Sequence, residues 1–107
     1  MNQCSRISGE TLQDLRALYS DPTNEENARM HKALADPVRF GIYEILLREE
    51  LCVCQIQEIT NLPQSTASGA IKSLLSAGLI SGRRDGKWIY YHANKQSIEK
   101  WLFEVIK

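Results

Sequence analysis

Long apolar runs are missing from this chain of 107 residues. No stretch approaches the roughly 20 consecutive apolar residues that a membrane-spanning helix needs. The first five residues also lack the basic and apolar regions of a secretory signal. We therefore expect a cytoplasmic protein without a membrane partner. The length suits a single domain, residues 1–107, with one modest core.

Residue patterns that support catalysis are scarce as well. The sequence shows no glycine-rich phosphate loop, no catalytic carboxylate dyad and no nucleophile with a matching histidine. His31 and His92 are the only histidines, and a lone histidine is more often structural or exposed than a ligand. These absences argue against an enzyme and against an organic cofactor.

Cysteine is rare, and the chain has an odd number of them, namely Cys4, Cys52 and Cys54. An odd count argues against a disulfide framework, and in a reducing compartment such residues are metal ligands, redox groups or buried side chains. Cys52 and Cys54 would lie about 200° apart around an α-helix, so their thiolates point the same way only in an extended segment or at an unwound helix start. The alternative is that Cys52 packs in the core and Cys54 lies inertly at the helix start.

The chain has no net positive charge, but its basic residues are concentrated in one segment. The net charge is zero, yet residues 1–60 carry six Lys or Arg against ten Asp or Glu, a balance of −4. Residues 61–95 carry five against one, a balance of +4. We expect this basic segment to be an electrostatic footprint on DNA.

Helix signals fill the first half of the chain. Apolar spacing predicts a first helix that ends before Asp21-Pro22, because proline disfavours helical geometry in the residue before it. A second helix is predicted over about 24–35. Asp36 is a good N-cap and Pro37 suits the first helical position, so a third helix starts there.

The second half changes character after residues 51–54 (Leu-Cys-Val-Cys), a short extended piece that leads into a short helix. The turn at 61–63 precedes a longer helix over about 64–77, which Gly78 ends at the C′ position. The predicted inward side chains of that longer helix are Ala67, Ala70, Ile71, Leu74 and Leu75.

Strand patterns follow at 79–84 and 87–93, and Asp85-Gly86 between them is a strong hairpin signal. A last helix is predicted over about 95–106. The resulting fold class is mostly α with a β-hairpin wing, a winged helix-turn-helix. Its helix-turn-helix spans 54–77 and its wing spans 79–93.

This arrangement suits DNA binding. Small polar side chains on the longer helix can enter the major groove, and cations at the hairpin tip can reach phosphates. The alternative is that the serines and threonines cap and solubilise a helix while the arginines lie on an exposed turn. The candidate DNA-binding residues are Gln64, Ser65, Thr66, Ser68, Lys72, Arg83, Arg84 and Lys87.

Four segments resemble the ArsR/SmtB family of metal-responsive repressors, and together they cover about residues 28–93. They are 33–40 (Ala-Leu-Ala-Asp-Pro-Val-Arg-Phe), 50–54 (Glu-Leu-Cys-Val-Cys), 64–68 (Gln-Ser-Thr-Ala-Ser) and 83–91 (Arg-Arg-Asp-Gly-Lys-Trp-Ile-Tyr-Tyr). The resemblance implies a homodimeric repressor of a metal(loid)-resistance operon that binds double-stranded operator DNA. It also implies release by As(III), with Sb(III), Cd(II) or Zn(II) as other soft inducers.

The resemblance also implies the sensor residues. Arsenite-sensing members use three thiolates, commonly with a third cysteine soon after the pair, where this chain has Gln57. Some relatives bring N-terminal cysteines across the dimer, so Cys4 could join Cys52 and Cys54. A four-thiolate cadmium or lead site would want one more N-terminal cysteine. The C-terminal zinc site of other relatives needs histidines that the last helix lacks.

One departure from the family pattern concerns the recognition helix. Many members continue it with Ser-Arg-His-Leu, whereas residues 68–71 here are Ser-Gly-Ala-Ile. An arginine that could touch phosphate or base is therefore absent, and we expect operator preference to differ. A glycine inside a helix also costs about 1 kcal/mol relative to alanine.

Dimerisation is expected to join the apolar faces of the first and last helices, while residues 1–9 form a mobile arm. Two-fold dimers of this kind read palindromic sites. Other functions stay open, namely a thiol-redox or Cd/Pb/Zn-responsive repressor of the same fold and, more distantly, a small thiol oxidoreductase or metal-trafficking protein. The candidate interface residues are Leu12, Leu15, Tyr19, Ile98, Trp101, Leu102 and Val105.

Overall fold

A computed structural model describes residues 6–95 of the chain. Five helices are followed by a two-stranded antiparallel hairpin, in the order that the sequence predicts. None of these helices is both long enough and apolar enough to cross a membrane. The elements are α1 Gly9–Tyr19, α2 Thr23–Leu34, α3 Pro37–Arg48, α4 Val53–Thr60, α5 Gln64–Ser76, β1 Ile80–Asp85 and β2 Trp88–Ala93.

Helix α1 packs little of its surface against the rest of the described chain. Ser8 caps it by accepting a hydrogen bond from the Thr11 amide at 3.2 Å. No residue of α1 is buried, and the exposed fraction reaches 48% for Leu15 and 89% for Tyr19. The helix ends before Asp21-Pro22, as predicted.

Helix α3 starts as its sequence predicts and also fixes the end of α2. The Asp36 carboxylate accepts a hydrogen bond from the Arg39 amide at 3.1 Å, with Pro37 in the first turn. The Arg39 side chain then turns back, and its Nε donates to the Ala33 carbonyl at 2.8 Å. A basic side chain on the last carbonyls of α2 stabilises that helix end.

The core lies where α3, α4, α5 and the hairpin meet. Helix α5 directs Ala67, Ala70, Ile71 and Leu74 inward, as predicted, but Leu75 is 39% exposed and its predicted burial is wrong. Leu75 lies about 100° around the helix from Leu74, which places it at the edge of the apolar face. The most deeply buried side chains are Tyr43, Ile42, Ile56, Leu74 and Leu79.

Gly78 ends α5 in the predicted position. Its φ of 74° is left-handed, its amide donates to the Leu75 carbonyl at 3.0 Å, and the next amide, that of Leu79, donates to Leu74 at 3.0 Å. These two bonds form a Schellman motif. The motif turns the chain directly from α5 into β1.

The hairpin turn lies one residue later than predicted. Asp85 pairs with Trp88 in the β ladder, so the connecting residues are Gly86 and Lys87 rather than Asp85-Gly86. Only Gly86 of this pair has a positive φ, 64°, as in a type II′ turn. The turn therefore uses glycine in its first central position, which displaces the turn toward Lys87.

Alanine substitutions at Gly69, inside α5, and at Gly78, just after its C-terminus, should have opposite effects on the free energy of unfolding. A Cβ added at Gly69 meets no atom within 4 Å, so Gly69→Ala should stabilise the protein by about 0.5–1 kcal/mol through helix propensity. Gly78→Ala should destabilise it by about 1–2 kcal/mol because alanine resists the left-handed region. Urea unfolding measures both, and a loss of stability in Gly69→Ala would contradict the assignment of residue 69 to an open helix surface.

Candidate DNA-binding surface and thiolate pair

The outward face of α5 carries unengaged polar side chains. Gln64, Ser65, Thr66 and Ser68 are all exposed, and none of their side chains makes a hydrogen bond within residues 6–95. The helix begins after Pro63 without a side-chain cap. These side chains therefore do not cap the helix, and their exposure fits either contact with a partner or a solvated helix face.

The wing places its three candidate cations in different surroundings. Arg84 donates from Nε to the Gly86 carbonyl at 3.2 Å, and Lys87 Nζ lies 5.8 Å from the centre of the Trp88 ring. Neither forms an ion pair with a residue in the range 6–95. Both cations remain available to an anionic partner.

Arg83, by contrast, is engaged by an acidic residue outside the wing. Its Nη2 lies 2.6 Å from Glu50 Oε1, and its Nε donates to both carboxylate oxygens at 3.1 and 3.2 Å. A fork of this kind is the strong, planar form of an Arg–carboxylate pair. The hydrogen bonds and positive charge of Arg83 lower the pKa of Glu50, and Glu50 in turn raises the pKa of Arg83.

The segment that leads to the cysteines is also bonded to the wing through its backbone. Leu51 and Tyr91 exchange two hydrogen bonds, at 3.0 and 2.8 Å, as an isolated antiparallel bridge. His92 Nδ1 lies 3.4 Å from Glu50 Oε2, which is long for a hydrogen bond. Residues 50 and 51 therefore attach the start of α4 to both strands of the hairpin, Glu50 through Arg83 of β1 and Leu51 through Tyr91 of β2.

The two cysteines of the pair lie in contrasting surroundings. Cys52 is buried, 8% exposed, and is the extended N-cap of α4, while Cys54 is exposed in the first turn of that helix. The Cys52 amide donates to the Gln55 side chain at 3.0 Å, which closes the helix start. The extended segment is thus shorter than predicted and ends at Cys52. Both thiols are free.

The third sulfur candidate, Cys4, lies outside the described residues. Within residues 6–95, no group of three or more His, Cys, Asp or Glu side chains is arranged to hold a metal ion. Cys52 and Cys54 alone would give an incomplete site for a thiophilic ion. A complete site needs at least one ligand from outside this range or from a second chain.

The predicted dimer interface is described only in its first half. Leu12 is half-buried, and Leu15 and Tyr19 are exposed on α1, so this face is uncovered in a single chain. Residues 96–106 of the last helix, predicted over 95–106, lie outside the described residues. So do its candidate interface residues, Ile98, Trp101, Leu102 and Val105.

Sequence reasoning missed Glu50 as the partner of the wing. Glu50 and Arg83 are 33 positions apart, and no periodicity or spacing relates them. The only sequence signal was an acidic residue directly before a segment singled out for its cysteines. The contact appears only once the hairpin folds back onto the loop between α3 and α4.

Because of the Glu50–Arg83 pair, we expect the protection of wing amides from hydrogen exchange to decrease at acid pH. The pKa of Glu50 is lowered in the folded protein, so its stabilisation is present above the usual glutamate pKa and is lost as pH falls through the folded pKa. Glu50→Gln should therefore speed amide exchange in β1 at neutral pH and remove this acid-dependent loss.

Glu49→Gln is a matched control, because Glu49 is exposed and forms no ion pair within residues 6–95. Hydrogen exchange corrected for intrinsic pH effects, followed by NMR, measures the difference. Equal protection of β1 in wild type and in Glu50→Gln would show that the pair does not hold the wing.

Comparison with known proteins agrees with this arrangement. Residues 36–81 match the family described as "Bacterial regulatory protein, arsR family". The chain is 39% identical over 89 residues to the arsenical resistance operon repressor of Bacillus subtilis, which covers 78% of this chain and 85% of that protein. It is 37% identical over 78 residues to the cadmium resistance transcriptional regulatory protein CadC homolog of Staphylococcus aureus, covering 68% of this chain.

The match in length varies among relatives. The chain spans 64% of the length of the Staphylococcus aureus protein and 65% of that of a Halobacterium salinarum relative. Among solved structures, a homodimeric winged helix-turn-helix DNA-binding domain from Mycobacterium bovis superposes with a TM-score of 0.66 at 28% identity, covering 96% of this chain and 89% of that one. The predicted winged helix-turn-helix fold is confirmed, and the chain belongs to the arsR family of bacterial regulatory proteins, which are DNA-binding transcriptional regulators and not enzymes.

Proposed function

We propose that this chain is a homodimeric repressor of a metal(loid)-resistance operon and leaves its operator DNA when cysteine thiolates capture As(III) or Sb(III). The observation that carries the proposal is the position of Cys52. It caps the first helix of the helix-turn-helix and directly follows the residues that are bonded to the wing. Relatives named for arsenical and for cadmium resistance support a soft ion as inducer.

DNA binding would use α5 and the wing together. The exposed polar side chains of α5, Gln64, Ser65, Thr66 and Ser68, would enter the major groove. Lys72 and the wing cations would contact phosphates. Gly69 leaves the middle of the exposed face without a side chain, so base contacts would come mainly from the N-terminal half of the helix.

The sensor would consist of Cys52, Cys54 and the Cys4 of one of the two chains. Each As–S bond would replace an As–OH bond, and the thiol proton would leave with the hydroxide as water. Cys52 is buried and Cys54 is exposed, so capture of one ion by both sulfurs would be accompanied by a movement of the first turn of α4 or of the Cys52 side chain. The ion would therefore favour a second conformation.

That movement would reach both DNA-contacting elements. Helix α4 packs against α5, with Ile56 fully buried, so a displaced α4 changes the support of the recognition helix. The Leu51–Tyr91 bridge and the Glu50–Arg83 pair would pass the displacement to the wing. An ion that binds one conformation better lowers DNA affinity through this linkage.

The homodimer would cover the exposed face of α1. Leu15, Leu18 and Tyr19 are 48%, 65% and 89% exposed, and a row of exposed large apolar side chains on one helix suits a protein interface. The homodimeric state of the Mycobacterium bovis neighbour supports this assignment. A two-fold dimer would also give each thiolate pair access to the N-terminal segment of the other chain.

Ion-dependent release tests the proposal. A duplex selected by the wild-type chain from a random library is labelled, bound, and titrated with arsenite, Cd(II) or Zn(II) while anisotropy is followed. We expect release at near-stoichiometric arsenite. Cys52→Ser and Cys54→Ser should bind the same duplex with similar affinity but should not be released, because each removes a sulfur ligand.

The other outcomes reassign the sensor. Full release of Cys54→Ser would remove the pair from the mechanism, and release by Cd(II) or Zn(II) alone would change the ion. Release by peroxide but by no ion would favour a thiol-redox repressor. Cys4→Ser, compared with wild type under arsenite, decides whether Cys4 is the third ligand.

The wing cations should differ in their share of DNA affinity. Arg84→Ala and Lys87→Ala should each flatten the slope of log K against log salt by about 0.9, the effect of one phosphate contact. Arg83→Ala should change it less, because Glu50 already neutralises that guanidinium. Salt titrations of anisotropy measure the slopes, and an Arg83 effect as large as that of Arg84 would mean that Glu50 releases Arg83 on DNA.

A further inference from the structure

A cationic cleft lies beside α5 and includes parts of α2 and α3 that have not been assigned to DNA. It has a volume of about 560 Å³ and is enclosed by α2, the first turn of α3 and the C-terminal half of α5. Its lining holds four cationic side chains and no carboxylate. The polar residues of the cleft are Arg29, Lys32, Arg39, Lys72, Ser73 and Ser76.

The positive charge in this cleft is uncompensated by the described part of the chain. The ion pairs among residues 6–95 all involve Glu50 or Asp85 and lie at the wing. Arg29 follows Glu25 and Glu26 by a helical turn, yet it pairs with neither. Like charges gathered in one concave surface raise the local potential and favour an anionic ligand.

The donors of the cleft suit a tetrahedral oxyanion. Arg39 is fixed by its bonds to the Ala33 and Lys32 carbonyls, at 2.8 and 3.4 Å, and its remaining N–H groups stay available. The hydroxyls of Ser73 and Ser76 make no hydrogen bond within residues 6–95. A fixed guanidinium with flanking ammonium and hydroxyl donors is the arrangement that binds phosphate.

We infer that this cleft binds a backbone phosphate of the operator duplex, so that α2 and α3 extend the DNA-binding surface beyond the helix-turn-helix and the wing. Lys72 and Ser76 belong both to the cleft and to the exposed face of α5, which makes the two surfaces continuous. A helix in the major groove has the phosphate backbone on either side of it. The inference rests on the proposed DNA-binding function.

The test is the salt dependence of DNA binding by the double variant R29Q/K32Q. Arg39 is left in place because it also caps α2. With the labelled duplex selected by wild type, the slope of log K against log salt should flatten by about 0.9, the effect of losing one phosphate contact. The ranking of duplex sequences should stay the same, since phosphate contacts do not read bases.

R16Q/R48Q is the matched control, because it removes two exposed cations that do not line the cleft. Its slope should stay near that of wild type. Equal slopes for R29Q/K32Q and wild type, or equal flattening in both double variants, would overturn the inference. Saturable binding of inorganic phosphate by NMR, with an unchanged DNA slope in R29Q/K32Q, would assign the cleft to a free oxyanion instead.

These outcomes separate the cleft from the function on which it rests. If wild type binds duplex with a slope that depends on Arg84 and Lys87, and R29Q/K32Q behaves as wild type, only the cleft assignment fails. If wild type binds no duplex at low salt, the proposed repressor function fails and the cleft assignment fails with it.

Discussion

The reciprocal hydrogen bonds between Leu51 and Tyr91 are the constraint on which the rest of the structure depends. They fix the β-hairpin against the loop between α3 and α4, and the bidentate Glu50–Arg83 pair reinforces the same junction. A two-stranded ribbon is only marginally stable in water by itself, and this junction adds to the packing of the hairpin on α3 and α5. Because Cys52 follows directly, the orientation of the wing and the start of α4 are set at one place. A structural change there would therefore affect both the wing and the start of α4.

Positive charge is also gathered at particular places on the surface. The chain is neutral overall, and the first 60 residues are acidic, yet Arg29, Lys32 and Arg39 from that acidic part meet Lys72 in one cleft. Glu50, in turn, neutralises the wing cation nearest the body of the protein, while Arg84 and Lys87 at the tip form no ion pair with any residue that the structure describes. Net charge per segment therefore locates the basic half correctly but underestimates the cationic surface, because α2 and α3 turn their basic side chains toward α5.

The sequence predicts correctly those features that depend on interactions between residues close together in the chain. Asp36-Pro37 sets the start of α3, and Gly78 sets the end of α5, because a cap bond and a left-handed residue act within a few positions of chain. The exposure of Leu75 depends on which neighbours cover the edge of the apolar face, so periodicity alone misjudged it. The Glu50–Arg83 pair and the cleft depend on contacts between elements far apart in sequence. Their residues could be recognised as charged, but their partners could not be read from spacing.

In the proposed sensor, the difference in burial between Cys52 and Cys54 would link ion capture to a change at the start of α4. If capture moves the first turn of α4 in the proposed sensor, the closed start of that helix would open, including the hydrogen bond from the Cys52 amide to the Gln55 side chain. Disturbing a helix cap costs about 1 kcal/mol, and couplings between allosteric sites are typically about 1–3 kcal/mol. The strain at one helix start is therefore of the size that such a switch needs. It also acts next to the Leu51–Tyr91 bridge, so no separate route to the wing is required.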